Sequence, residues 1–169
     1  MAGGDTEEVT AENPPMQIRL DDLTGPEVRE LLEEHLRHMY EITPAKSVHA
    51  LDLTGLRKPD ITFWTVWDGG ELLGCGAVRE LDPTHGEIKS MRTARRHWRK
   101  GVGRAMLTHI VSEARARGYA RLSLETGAME AFTPAHKLYE GFGFVPCGPF
   151  GQYPDEPTSR FFTLVLSET

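Results

Sequence analysis

Three β-forming segments joined by two tight turns are followed by one long amphipathic helix and a further strand, and that succession restricts the fold more than any other feature of the chain. Ile61 to Trp67 and Glu71 to Glu80 flank Asp68-Gly69-Gly70, a sequence suited to a tight hairpin turn. Asp82-Pro83-Thr84-His85-Gly86 gives a second turn, leading into Glu87 to Thr93. These three strands make an antiparallel meander. A helix follows from about Val102 to Arg117, with Val102, Met106, Leu107, Ile110, Val111 and Ala114 on one stripe and Gly118 placed to end it. Arg121 to Glu125 is then a short strand. Strand, long helix, strand implies one right-handed parallel crossover inside an otherwise antiparallel sheet.

The flanks fill in the same plan. Met16 to Leu20 alternates as a short strand would, and Pro26 sits well in the first turn of a helix running to about Tyr40. Val28, Leu31, Leu32, Leu36 and Met39 give that helix one buried face. Pro44 to Pro59 is irregular, with a short helix near Leu51 to Leu56, and is equally readable as a substrate-contacting loop or a packed connector. Beyond Glu125 come a helix from about Pro134 to Gly141, a short strand Phe144 to Cys147 and a last strand Arg160 to Leu166. The order is βα(α)βββαβαββ. The expected class is α/β of the α+β kind, with a mixed, mostly antiparallel sheet of six to seven strands and helices on both faces. Trp64 and Trp67 should face opposite sides, one in the core and the other exposed or at a subunit contact; Phe161 and Phe162 should also face apart. Residues 1–15 are polar, acidic and end in Pro14-Pro15, so they are expected to be a flexible tail before a single domain, 16–169.

Composition removes several function classes. A net charge of −6 disfavours a general nucleic-acid binder. Cys75 and Cys147 lack ligand spacing, and His35 with His38, one turn apart, fit an ordinary amphipathic helix, so no metal is expected. No apolar run approaches the roughly 18 residues of a membrane span, and the chain start lacks signal-peptide character, which points to a cytoplasmic protein with no membrane partner.

Charge is nevertheless segregated. Residues 1–41 hold 3 basic and 11 acidic groups, whereas Lys89, Arg92, Arg95, Arg96, Arg99, Lys100 and Arg104 fall within 89–104 with no acid among them. That run ends in Arg99-Lys100-Gly101-Val102-Gly103-Arg104 at the start of the long helix. A helix N-terminus offers unpaired N–H groups and a positive dipole end, and glycines admit a phosphate close to the backbone. By composition and position this is a pyrophosphate cradle, though it matches neither the dinucleotide fingerprint nor the Walker loop.

The turn resembles the acetyl-CoA signature of the GNAT superfamily of N-acetyltransferases, Arg/Gln-x-x-Gly-x-Gly/Ala, reading Trp98-Arg99-Lys100-Gly101-Val102-Gly103 here. The likeness extends over roughly residues 16–166, through Gly86 to Thr93, Arg117-Gly118-Tyr119 and the block Ala135 to Phe144. Two positions depart from the family pattern: Trp98 for Arg or Gln, and Phe132 for the usual Asn before the block. The resemblance implies that Glu87 to Thr93 splays from Arg121 to Glu125 and that the pantetheine arm of acetyl-CoA, the implied acetyl donor, lies in the gap. It further implies cofactor contacts from Met91, Arg92 and Thr93 on the strand and from Arg99, Lys100, Gly101, Val102, Gly103 and Arg104 in the turn. A main-chain N–H near Met91 would polarise the thioester carbonyl. Tyr139 would protonate or hydrogen-bond the CoA sulfur. Glu87 or Glu125, directly or through water, would take the proton of the amine, and Glu125 could instead bind a cationic acceptor. The function implied is direct acetyl transfer to a primary amine of a small molecule or an exposed protein amine. The alternative is a CoA-binding sensor or interaction module with little turnover. A homodimer is compatible with the resemblance.

Overall fold

A computed structural model describes residues 16–166, so the expected tail, 1–15, lies outside the described residues. The meander is β2 (Ile61–Asp68), β3 (Glu71–Asp82) and β4 (His85–Thr93), turned at Gly69 in the left-handed region (φ 60°). Around it run β1 (Gln17–Leu20), α1 (Pro26–Ile42) and α2 (Leu53–Leu56), then α3 (Val102–Ala116), β5 (Arg121–Gly127), α4 (Thr133–Gly141), β6 (Val145–Cys147) and β7 (Ser159–Val165). The seven strands lie in the order β1-β2-β3-β4-β5-β7-β6, and β4 with β5 is the parallel pair. Among the described residues no helix is long and apolar enough to cross a membrane.

Each face of the sheet is covered. On one, the stripe Val102, Met106, Leu107, Ile110 and Ala114 of α3 packs against Val78, Ile88, Leu122, Leu124 and Phe162. On the other, Val28, Leu31 and Leu32 of α1 and Leu56 of α2 pack against Phe63, Cys75 and Ala77. Full burial of each Val, Leu, Ile, Phe or Met among them contributes about 1.5–3 kcal/mol. Trp64 and Trp67 do face opposite ways, Trp64 fully buried and Trp67 partly exposed. Trp64 joins the α3-side core, and Trp67 packs on the α1 side with its Nε1 donating to Thr65 Oγ1 at 2.7 Å. Phe161 and Phe162 are both buried, on opposite faces.

Two irregularities shape the centre of the sheet. The β4–β5 ladder runs only from His85↔Arg121 to Ile88↔Leu124, so the last five residues of β4 and the last three of β5 diverge. A bulge also interrupts the β3–β4 ladder: Cys75 pairs with Arg92 and Ala77 with Lys89, leaving Ser90 and Met91 opposite Gly76 alone. Ser90 takes φ 56°, the left-handed conformation such an extra residue needs. A Cβ on Gly76 would stand 2.8 Å from Met106 Cγ and 2.9 Å from Met91 Sδ, so only glycine lets the bulge close on α3. The bulge reverses the parity of β4. Strict alternation would place Arg92 on the same side as Ile88; instead Met91 packs into the α3-side core, while Arg92 reaches His38 and Glu34 of α1.

Candidate active site

The divergence of β4 from β5 opens a cleft of about 670 Å³ that runs from the start of α3 to Glu125 and Tyr153. Its two ends are built differently. At the α3 end the wall is mostly backbone. Gly101 is the N-cap at φ 83°, and no side chain caps the helix. The first α3 residue to bond back is Ala105, to the Gly101 carbonyl, which leaves the N–H groups of Val102, Gly103 and Arg104 free at the positive end of the dipole. A Cβ on Gly103 would come within 3.3 Å of Leu138 in the space between α3 and α4. Arg99, itself at φ 67°, and Arg104 line the mouth. This is a cradle for an anion flanked by two guanidinium groups.

Lys100, expected at the same phosphate, turns the other way: its Nζ donates to His97 Nδ1 at 3.1 Å, and it is absent from the cleft wall. Trp98, at the departing position of the signature, is 43% exposed on the rim and donates its Nε1 to the Thr93 carbonyl at 2.9 Å. It thereby pins the end of β4. Phe132, the second departure, covers Gly127 so closely that no Cβ would fit there, and His136 Nε2 bonds the Gly127 carbonyl at 2.8 Å. These two aromatics fix the ends of the two splayed strands.

Met91, Thr93, Gly103 and Tyr139 meet around a recess of about 110 Å³ off the cleft. Tyr139, on α4, is buried against Phe144 and Phe162, and its hydroxyl has no hydrogen-bond partner among the described residues. Burial pushes its pKa well above the ordinary phenol value, so the hydroxyl keeps its proton.

The far end is made of side chains. Glu87, the expected base, is 1% exposed and does not reach the cleft wall. Its carboxylate accepts from Tyr153, lies 3.3 Å from Lys89 Nζ and 3.9 Å from Arg79, and so is committed to a buried charge cluster. Glu125, beyond the last β4–β5 pair, does line the cleft; Ser159 Oγ donates to it at 2.7 Å. Desolvation raises its pKa against the lowering by Ser159, His49 and Lys89, which makes it a stronger base than an exposed glutamate. Arg92 lines the cleft, but the bulge carries the end of its side chain toward α1, where its Nη1 donates to His38 Nδ1 at 2.9 Å. The irregular segment after α1 does contribute, with Thr43, Ser47, Val48 and His49 on the wall.

Two lining residues were assigned no place in the site by the sequence. His35 sits in the period of Val28, Leu31 and Leu32, so the helix stripe itself could have marked it as buried. Burial, with Arg92 and His38 nearby, brings its pKa down to about 4 and keeps it neutral. Tyr153 comes from the β6–β7 connection, where no motif announces it, and its hydroxyl also accepts from Lys89 at 2.8 Å.

Residues 25–144 match the Acetyltransferase (GNAT) family. An N-acetyltransferase of Bacillus subtilis, YsnE, is 57% identical over 151 residues, covering 89% of this chain and all of the relative. YedL of Escherichia coli, also an N-acetyltransferase, is 48% identical over 89% of this chain and 95% of its own. Among solved structures, a GNAT family acetyltransferase of Elizabethkingia anophelis with acetyl-CoA bound superimposes with a TM-score of 0.67 at 20% identity, over 91% of this chain and all of that one. The chain belongs to the GNAT family of N-acetyltransferases and is an acyltransferase.

Proposed function

We propose that the protein transfers the acetyl group of acetyl-CoA directly to a primary amine, with donor and acceptor held together in the cleft. The observation that supports this most is the opening between β4 and β5, which has an anion cradle at one end and a proton donor and a proton acceptor on its walls. The donor supplies a thioester whose carbonyl carbon accepts the amine. Gly101 to Arg104 hold its diphosphate through first-turn N–H groups, with Arg99 and Arg104 countering the charge. The splayed backbone around Met91 and Thr93 offers N–H and C=O groups to the amide-bearing arm, and the Met91 N–H polarises the carbonyl. Glu125, its basicity raised by burial, takes the proton of the amine as the N–C bond forms. As the C–S bond breaks, Tyr139 supplies a proton to the sulfur and regains it from solvent. Glu87 acts at one remove, holding Lys89 and Tyr153 in place.

The test is thiol release from acetyl-CoA across a panel of primary amines. Amine-dependent release, lost in Glu125→Gln, supports the reading. CoA that binds without release to any amine contradicts it.

A further inference from the structure

Several residues of the cleft wall carry buried polar atoms without partners. His35 Nδ1, Thr43 Oγ1, Ser90 Oγ and both Nε and Nη2 of Arg92 are buried and make no hydrogen bond, and all four residues line the cleft. Leaving such a group unpaired is costly, most of all for a charged one. Arg92 dominates. Its side chain is 6% exposed, and of its donors Nη1 bonds His38, while Nη2 stands 3.3 Å from Glu34 Oε2 without a hydrogen bond and Nε has nothing. Nε and Nη2 form one edge of the guanidinium plane, the edge that matches the two oxygens of a carboxylate.

The charges around the cleft point the same way. Its wall carries Lys89, Arg92, Arg99 and Arg104 against the single acid Glu125. Arg99 and Arg104 face the donor's diphosphate, and Lys89 is neutralised by the buried Glu87. Arg92 alone is left with only a partial match, because Glu34 is 28% exposed and can swing into solvent from its place beside Nη2. The acids that gave α1 its negative character do not enter the cleft: Glu27, Glu30, Glu33 and Glu41 are exposed. Resting on the acetyl-transfer reading, we propose that the acceptor is an amine that also bears a carboxylate, and that the Nε/Nη2 edge of Arg92 holds that carboxylate once Glu34 swings aside. Ser90 Oγ, on the same bulge, supplies a further hydrogen bond. This makes Arg92 the residue that selects an amino acid over a plain amine.

The experiment needs no turnover. N-acetylated α-, β- and γ-amino acids and their methyl esters, which resemble the product, are titrated calorimetrically into the full chain with and without CoA. The expected result is at least one acid that binds about tenfold or more tighter than its ester, a preference lost in Arg92→Met and reduced in Arg92→Lys, with CoA affinity unchanged in both. Should Arg92→Met fail to fold, Arg92→Lys carries the same comparison. Equal binding of acids and esters, no binding of either, or a preference that survives Arg92→Met overturns the proposal. So does a tenfold loss of CoA affinity in Arg92→Met without acid preference in the wild type, because the edge would then serve the donor's phosphates. Failure of the transfer reading shows separately, as bound CoA with no thiol released to any amine.

Discussion

The two ends of the cleft are made of different material. The α3 end is backbone: three free N–H groups, a left-handed glycine and a strand that has left its neighbour. The far end is side chains from α1, the segment after it, β4, β5 and the β6–β7 connection, held in place by buried ion pairs and hydrogen bonds. A backbone site depends on local conformation and tolerates change in most side chains around it. A side-chain site depends on long-range packing and can be retuned one residue at a time. On the proposed reading, the first suits the acyl donor and the second the acceptor.

That contrast can be broken by substitution at each end. Glu125→Gln removes the proposed base and should lower kcat by about a thousandfold with CoA affinity unchanged, read by steady-state kinetics beside calorimetry. Because burial raises the pKa of Glu125 above its ordinary value of 4.5 and only the deprotonated form works, kcat/KM should fall as pH drops through that raised value, and this acid limb should vanish in Glu125→Gln. Gly101→Val forces a β-branched residue to φ 83° over the cradle and should weaken CoA binding by about a hundredfold while acceptor preference is retained. Tyr139→Phe should lower kcat by about tenfold and leave the melting temperature unchanged, since its hydroxyl makes no bond to a described residue. Lys100→Ala, in a side chain turned toward His97, should alter CoA affinity by less than about twofold, whereas Arg99→Ala or Arg104→Ala should cost about tenfold. An equal loss at Lys100 would mean that the turn rearranges around the donor.

Legibility in the sequence follows the same division. The meander, the crossover and the glycine turn are written in contiguous residues, by period, turn chemistry and helix stop, and they could be read directly. The bulge could not: nothing in Lys89-Ser90-Met91-Arg92 says that Ser90 will take a positive φ, yet that conformation sends Arg92 to the α1 side. Glu87 and Glu125 look alike as acids on neighbouring strands. Only the point at which β4 and β5 part, after Ile88 and Leu124, puts one in a buried cluster and the other on the cleft wall. Tyr153 enters from a connection with no periodicity, so its place beside Glu87 depends on how β7 folds back.

A crystal structure of the chain with CoA bears most directly on these assignments. It should show the diphosphate on the N–H groups of Val102 to Arg104 and the sulfur within hydrogen-bonding reach of the Tyr139 hydroxyl. A coenzyme bound outside the gap between β4 and β5, or one whose sulfur points away from Tyr139, would contradict them.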